Sequence, residues 1–165
     1  MPPLSPGYAP AKPRLGFTLL ELLIVIGILS VLSVAGVGYY RNTIQNIQVD
    51  ETAKNIISTL RDARSRAIAG QSSYNWGVNF VNSSTPNTFY YELFSTPTDY
   101  NSASMTIDST YYLPGTLTFS SPGSGATTTI LFNKITGAAA TSSVTLLFEG
   151  TTTTINVTPV GNVYK

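Results

Sequence analysis

Neither cysteine nor histidine occurs anywhere in the chain. Their absence excludes a thiolate nucleophile, disulfides, Cys/His zinc sites and the usual proton shuttle near neutral pH. Charge is scarce as well. Only 10% of residues are Asp, Glu, Lys or Arg, against about 25% in ordinary soluble domains. Nine basic and eight acidic side chains leave a formal net charge of +1, so the molecule as a whole exerts no strong pull on nucleic acid. The length of 165 residues suits one domain of ordinary size. A chain so poor in charge either lies partly in a membrane or packs against other protein.

The few charges are unevenly placed. Residues 71–165 hold only Lys134 and Lys165 against Glu92, Asp99, Asp108 and Glu149, while 32 of those 95 residues are Ser or Thr. The chain is a composite whose parts need separate readings. Residues 1–16 contain five prolines with Lys12 and Arg14, which prevents a regular helix and leaves nothing to build a core. An apolar run follows from Phe17 to Tyr40. After Glu21 it carries no charge until Arg41, and 14 of its 24 residues are Phe, Leu, Ile or Val. As a helix it is long enough to cross a hydrocarbon core of about 30 Å. At about −0.3 to −0.6 kcal/mol each near the bilayer centre, these side chains outweigh the few kcal/mol that one carboxylate costs. The predicted outcome is a membrane-inserted helix; Lys12 and Arg14 before the span favour a cytoplasmic N-terminus, while Arg41 just after it and Lys54 further on weigh the other way.

Glu21 is the anomaly of this run. A carboxylate inside an apolar span points by default to function. It also suits the interface near a helix N-terminus, where the dipole favours negative charge. Spacing alone does not separate the two. A secretory signal would have a shorter apolar core and then a small-residue cleavage site; this run is too long, and it comes after Gly16.

The joined residues Gly16-Phe17-Thr18-Leu19-Leu20-Glu21, behind a short basic leader and ahead of an apolar helix, resemble the class III signal of type IV prepilins and type II secretion pseudopilins. Leu15 departs from the basic residue that many members carry directly before the glycine. The resemblance implies a cut between Gly16 and Phe17 by a prepilin peptidase/methyltransferase, and N-methylation of Phe17. It further implies an inner-membrane assembly platform and other pilin or pseudopilin subunits as partners. The subunit would span the inner membrane once before joining an extracytoplasmic fibre. Phe17 and Glu21 are i and i+4, about 6 Å apart along a helix. Glu21 is therefore expected to act in assembly, meeting the new amine of a neighbouring subunit and fixing the axial register. Gly27, Gly36 and Gly38, with Ser30, Ser33 and Ala35, offer small surfaces for close helix packing. The Gly36-Val37-Gly38 pair either loosens the helix or is ordinary glycine in a membrane helix.

From Arg41 to about Ala69 the pattern turns amphipathic, with Val49, Ala53, Ile56, Ile57, Leu60, Ala63, Ala67 and Ile68 at spacings of three and four. Gly70 and Gln71-Ser72-Ser73 supply the stop. A helix over 17–69 would be roughly 80 Å long. Arg61, Arg64 and Arg66 offer phosphate contacts to nucleic acid, but Asp62 lies among them and no aromatic run interleaves. A solvated face or a subunit contact is the better reading.

Beyond residue 73 the strand candidates are 76–81, 88–94, 117–120, 128–135, 144–149, 152–158 and 160–164, rich in Thr, Val, Ile, Tyr and Phe and separated by Pro/Gly/Ser/Asn turns. Residues 95–112 read as an irregular loop. Phe132–Gly137 and Thr158–Val163 are similar to the C-terminal pattern of FimT/GspH-type minor pseudopilins, which favours a minor subunit. The two cysteines that close a C-terminal loop in many major pilins are missing, so packing and hydrogen bonds must hold the edges. The expected fold class is α+β. A long N-terminal helix (about 17–69, first half transmembrane) packs by its second half on a C-terminal antiparallel β-sheet domain. Its organisation reads as leader 1–16, apolar helix 17–40, amphipathic continuation 41–70 and Ser/Thr-rich β-domain 71–165.

Neither a catalytic constellation, nor a cofactor motif, nor metal-ligand spacing emerges. Lys134 and Lys165 lack a serine-activating context, and Glu92, Asp99 and Asp108 lack a calcium-loop spacing. Asn82-Ser83-Ser84 and Asn156-Val157-Thr158 match a glycosylation sequon, a pattern cheap to meet by chance in so hydroxyl-rich a chain. The leading expectation is a structural, polymerising subunit rather than an enzyme. The alternatives are a monomeric membrane-anchored surface-binding protein and a DNA-uptake pilin.

Overall fold

The structure, a computed structural model, describes residues 16–85, 88–115 and 117–165, with side chains left out at 35–45. Expectations that rest on Met1–Leu15, on Pro86 and Asn87 or on the side chain of Ala35 lie outside what is described. The chain divides between Arg41 and Asn42 into two compact units. Helix α1 is assigned over Leu19–Ile68 and is helical through Gly36 and Gly38.

In the first unit every described side chain is exposed, from Phe17 at 86% through Leu19, Leu23 and Ile26 to Val34 at 80%. Among the described residues no helix is long and apolar enough to cross a membrane.

In the second unit, residues of α1 lie on two four-stranded antiparallel sheets. Their strands are β1 (Asn75–Val81), β2 (Tyr90–Thr96), β3 (Thr106–Tyr112), β4 (Thr118–Ser121), β5 (Thr127–Phe132), β6 (Ser142–Phe148), β7 (Thr151–Val157) and β8 (Val163–Tyr164). One sheet runs β3-β2-β1-β5 and the other β4-β6-β7-β8. The pleat decides which side chains enter the core. Trp76, Val78 and Phe80 from β1 point inward with Ile130 and Phe132 from β5, while Val144, Leu146 and Phe148 from β6 enter with Ile155 and Val157. The helix contributes Val49, Ala53, Ile56, Leu60, Ala63 and Ala67, all at 2% exposure or less. Small Ala positions let the helix approach the sheets closely, and each larger side chain gains about 1.5–3 kcal/mol by leaving water. The arrangement is the expected α+β, pilin-like one.

Several boundaries differ from expectation for local reasons. Residues 95–112 are not all loop, because Thr106–Tyr112 forms edge strand β3 on β2, with an irregular register between Leu93 and Phe94. All but one of its side chains are exposed, so no alternation betrays it. Strand β5 stops at Phe132, since Ile135 takes a left-handed φ of 72° and its N–H donates to the Ala67 carbonyl at 2.9 Å. Strand β8 is short because Gly161 and Asn162 turn back on Thr158. Between β6 and β7, Glu149 and Gly150 both take positive φ, which matches strand twist in a two-residue hairpin.

Candidate processing and assembly site

The N-terminal site begins before the helix. Gly16 and Phe17 are outside α1 and exposed, and among the described residues nothing lies within 4 Å of where a Cβ on Gly16 would sit. Thr18 is the cap. Its side-chain oxygen accepts from the Glu21 N–H at 3.2 Å, and its carbonyl accepts from the Leu22 N–H at 3.2 Å. Thr18-Leu19-Leu20-Glu21 thus has the spacing of a capping box, and Glu21 sits in the first turn where the helix dipole favours its charge. Thr18 joins Glu21 as a functional position, and the sequence signal for it is the Thr-x-x-Glu spacing. Further along, the Ser30 hydroxyl donates to the Ile26 carbonyl at 2.7 Å and the Ser33 hydroxyl to the Leu29 carbonyl at 2.8 Å. Both hydroxyls are satisfied within the helix, which keeps this stretch apolar to its surroundings. Chemically the site presents an accessible peptide bond ahead of a capped helix, with a carboxylate in its first turn.

The other candidates resolve as follows. Arg61 donates to the Val163 carbonyl at 3.1 Å and Arg64 to the Val160 carbonyl at 3.0 Å. Arg66 lies over the Trp76 ring at 4.8 Å and pairs with Asp62 at 2.9 Å and Asp108 at 3.3 Å. Burial, the largest influence on Arg66, opposes its charge, but Asp62 and then Asp108 outweigh it and hold its pKa above the usual value. These arginines therefore fasten the helix end to β8 and β3 instead of forming one open phosphate-binding row. Phe132–Gly137 and Thr158–Val163, separate in sequence, meet here, where a Cβ on Gly161 would run into the Gly137 carbonyl oxygen.

The three acids considered for calcium are not brought together. Glu92 is buried and accepts from the Tyr100 hydroxyl at 2.9 Å, and Asp108 faces Arg66. Burial first, then Glu92, pushes the Tyr100 hydroxyl up to about 12. Among the described residues no group of three or more potential ligands could hold a metal ion. Asn82 is 4% exposed and its amide donates to the Phe119 and Pro122 carbonyls at 2.8 and 2.6 Å, which makes the first sequon a structural asparagine.

Lys165 and Lys54 flank Asp50, each at 2.6 Å. The hydrogen bonds from Lys165 and then Lys54 lower the Asp50 carboxyl from 3.8 to about 2. A depressed carboxylate stabilises the fold above its unfolded value, and that contribution fades as pH falls through the folded one. Wild type should therefore melt higher than Asp50→Asn at pH 6, with the gap closing between about pH 4 and pH 2. Calorimetry across this window checks it, and a gap unchanged at pH 2 would refute the assignment.

Residues 12–37 match the family model described as the prokaryotic N-terminal methylation motif, the class III signal of type IV pilins and pseudopilins. No curated protein and no solved structure matches the chain.

Proposed function

We propose that a chain carrying this methylation motif on an exposed apolar helix is the precursor of a fibre subunit, of the minor pilin or pseudopilin kind. The observation that carries the proposal is the N-terminal site itself. The Gly16–Phe17 bond lies ahead of a capped helix, and among the described residues nothing covers the 13 exposed large apolar side chains from Phe17 to Val34. Such a surface demands lipid first and other helices afterwards.

In this reading residues 1–16 are a leader removed in the cytoplasm, and Phe17 becomes the methylated N-terminus. Residues 17–40 anchor the subunit in the inner membrane and then enter the fibre core. Residues 41–70 join that helix to the β-domain 71–165, which stays outside the cytoplasm. Lys12 and Arg14 leave with the leader, so the side-chain charge of the mature chain becomes 7 − 8 = −1. Glu21 then meets the amine of the adjacent subunit. In apolar surroundings an unpaired charge is costly, so one axial register is favoured over slipped ones. The chemistry is performed on this chain by the peptidase/methyltransferase, and its own work is polymerisation.

Mass spectrometry of the mature N-terminus tests the first step. Methylated Phe17 is expected, and retention of Met1–Gly16 would overturn the reading. The second step is tested with Glu21→Gln, which should be processed yet recovered in sheared fibres at a small fraction of the wild-type amount. Equal recovery would remove Glu21 from assembly.

A further inference from the structure

Strand β2 sends Tyr91 and Leu93 into the core, so the alternation turns Glu92 to the outer face of its sheet. There Glu92 stands between Thr110 of β3 and Asn79 of β1, and Asn79 pairs onward with Thr129 of β5. The Thr129 hydroxyl donates to the Asn79 side-chain oxygen at 2.9 Å. In the next row Tyr90 lies against Tyr112, ring centroids 5.6 Å apart, and Tyr112 is 69% exposed. Burial first, then the charge of Glu92, raises the Tyr90 hydroxyl above its usual pKa. From the β2–β3 connection Tyr100 folds back onto the same face, edge-on to Phe94 at 4.9 Å, with its hydroxyl on Glu92. Two groups here are left without what they need. Glu92 is 7% exposed, and among the described residues no Lys or Arg pairs with it. The two bases of residues 71–165 are held elsewhere, Lys134 at the Ser73 carbonyl and Lys165 at Asp50. Beside Glu92, the Asn79 amide nitrogen is buried with no hydrogen-bond partner. A buried carboxylate without a cation and a buried donor without an acceptor are both costly.

We propose that this face binds a small ammonium ligand carrying a hydroxyl two carbons from its nitrogen. The cationic nitrogen seats at Glu92 beside the Tyr90 and Tyr112 rings, whose faces attract positive charge. The ligand oxygen accepts from Asn79 Nδ2. A neutral polyol would supply the oxygen and leave Glu92 without a counter-charge, and a bare cation would do the reverse. Anions such as phosphate are repelled by Glu92. In the free protein the Tyr100 hydroxyl holds the place of the ligand oxygen, on Glu92 and close to Asn79. Rotation of that one side chain opens the site. The backbone around it is pinned, because the Thr96 hydroxyl donates to the Asp99 carbonyl at 2.7 Å and meets the Ser102 hydroxyl at 2.8 Å. Choline-type head groups and amino sugars share the required chemistry. The site stands apart from the fibre-subunit reading, since all its residues lie in the β-domain.

The test titrates ¹⁵N-labelled full-length chain with choline and with glucosamine, in a detergent whose head group is neither a sugar nor an ammonium. At least one should shift the amide signals of Asn79, Glu92 and Tyr112 saturably, and the one acting at lower concentration names the source. The uncharged carbon analogue of choline should bind about tenfold more weakly, and tetramethylammonium, which lacks the oxygen, about twofold to tenfold. Glu92→Gln still accepts from Tyr100 and should weaken binding about tenfold. Tyr112→Ala, at an exposed ring, should cost about twofold to fivefold. Tyr100→Phe removes the competing hydroxyl and should tighten binding about twofold to tenfold, a gain that a damaged fold would not give. No saturable shift with either probe, equal binding of the uncharged analogue or of tetramethylammonium, unchanged affinity in Glu92→Gln, or weaker binding by Tyr100→Phe would overturn the assignment.

Discussion

Replacing Gly161 with alanine is expected to destabilise the β-domain by about 3–5 kcal/mol, the combined scale of left-handed strain and backbone overpacking. Gly161 holds a φ of 78°, and a Cβ there would meet the Gly137 carbonyl oxygen at 2.0 Å and Arg64 Nε at 2.7 Å. The backbone neighbour is the one that cannot yield cheaply. The Gly137 backbone is fixed by its N–H bond to the Asn133 carbonyl at 2.8 Å, and Arg64 is tied to the Val160 carbonyl. Gly125 supplies the control. It holds a similar φ of 73° with nothing within 4 Å, so Gly125→Ala should cost only the strain, about 1–2 kcal/mol. Denaturant titration of both variants separates crowding from conformation. Equal losses would mean that the Gly137–Gly161 approach is not close.

The second large effect is expected at Phe80, which is fully buried on β1. Its ring stacks on Tyr91 of β2 at 5.9 Å and meets Phe119 of β4 edge-on at 5.7 Å. Phe80 therefore touches both sheets. Truncation to alanine removes a large apolar volume and two aromatic contacts at once, a loss of about 3–5 kcal/mol. Phe80→Leu, which keeps most of the volume, should lose markedly less. If urea unfolding of Phe80→Ala showed a loss under about 1 kcal/mol, the two sheets would not share one core.

Much of the helix was legible because its burial follows period and size. Val49, Ala53, Ile56, Leu60, Ala63 and Ala67, picked out by spacing, are the residues the sheets cover. Ile68 is 46% exposed in spite of the pattern, because the chain leaves the helix at that point and turns. The strands were legible where one face is buried, as in β1 and β6. Strand β3 was not, since Thr106–Tyr112 is exposed on both faces and is placed only by pairing with β2. That the strands form two sheets was not legible either, because strand order is decided by contacts between residues far apart in sequence. The candidate site shows the same division. Gly16, Phe17 and Glu21 form a local pattern readable from six residues. The carbonyls that Arg61 and Arg64 hold lie 102 and 96 residues away, and no local pattern announces them.

The arginine contacts with the Val160 and Val163 carbonyls have a consequence for when and where the β-domain can close. A clasp of charged donors on backbone oxygens has no oxidation state. It forms as readily in a reducing cytoplasm as in an oxidising compartment, needs no oxidase or isomerase, and is untouched by thiol reagents. Closure of the C-terminal region is thus uncoupled from redox conditions.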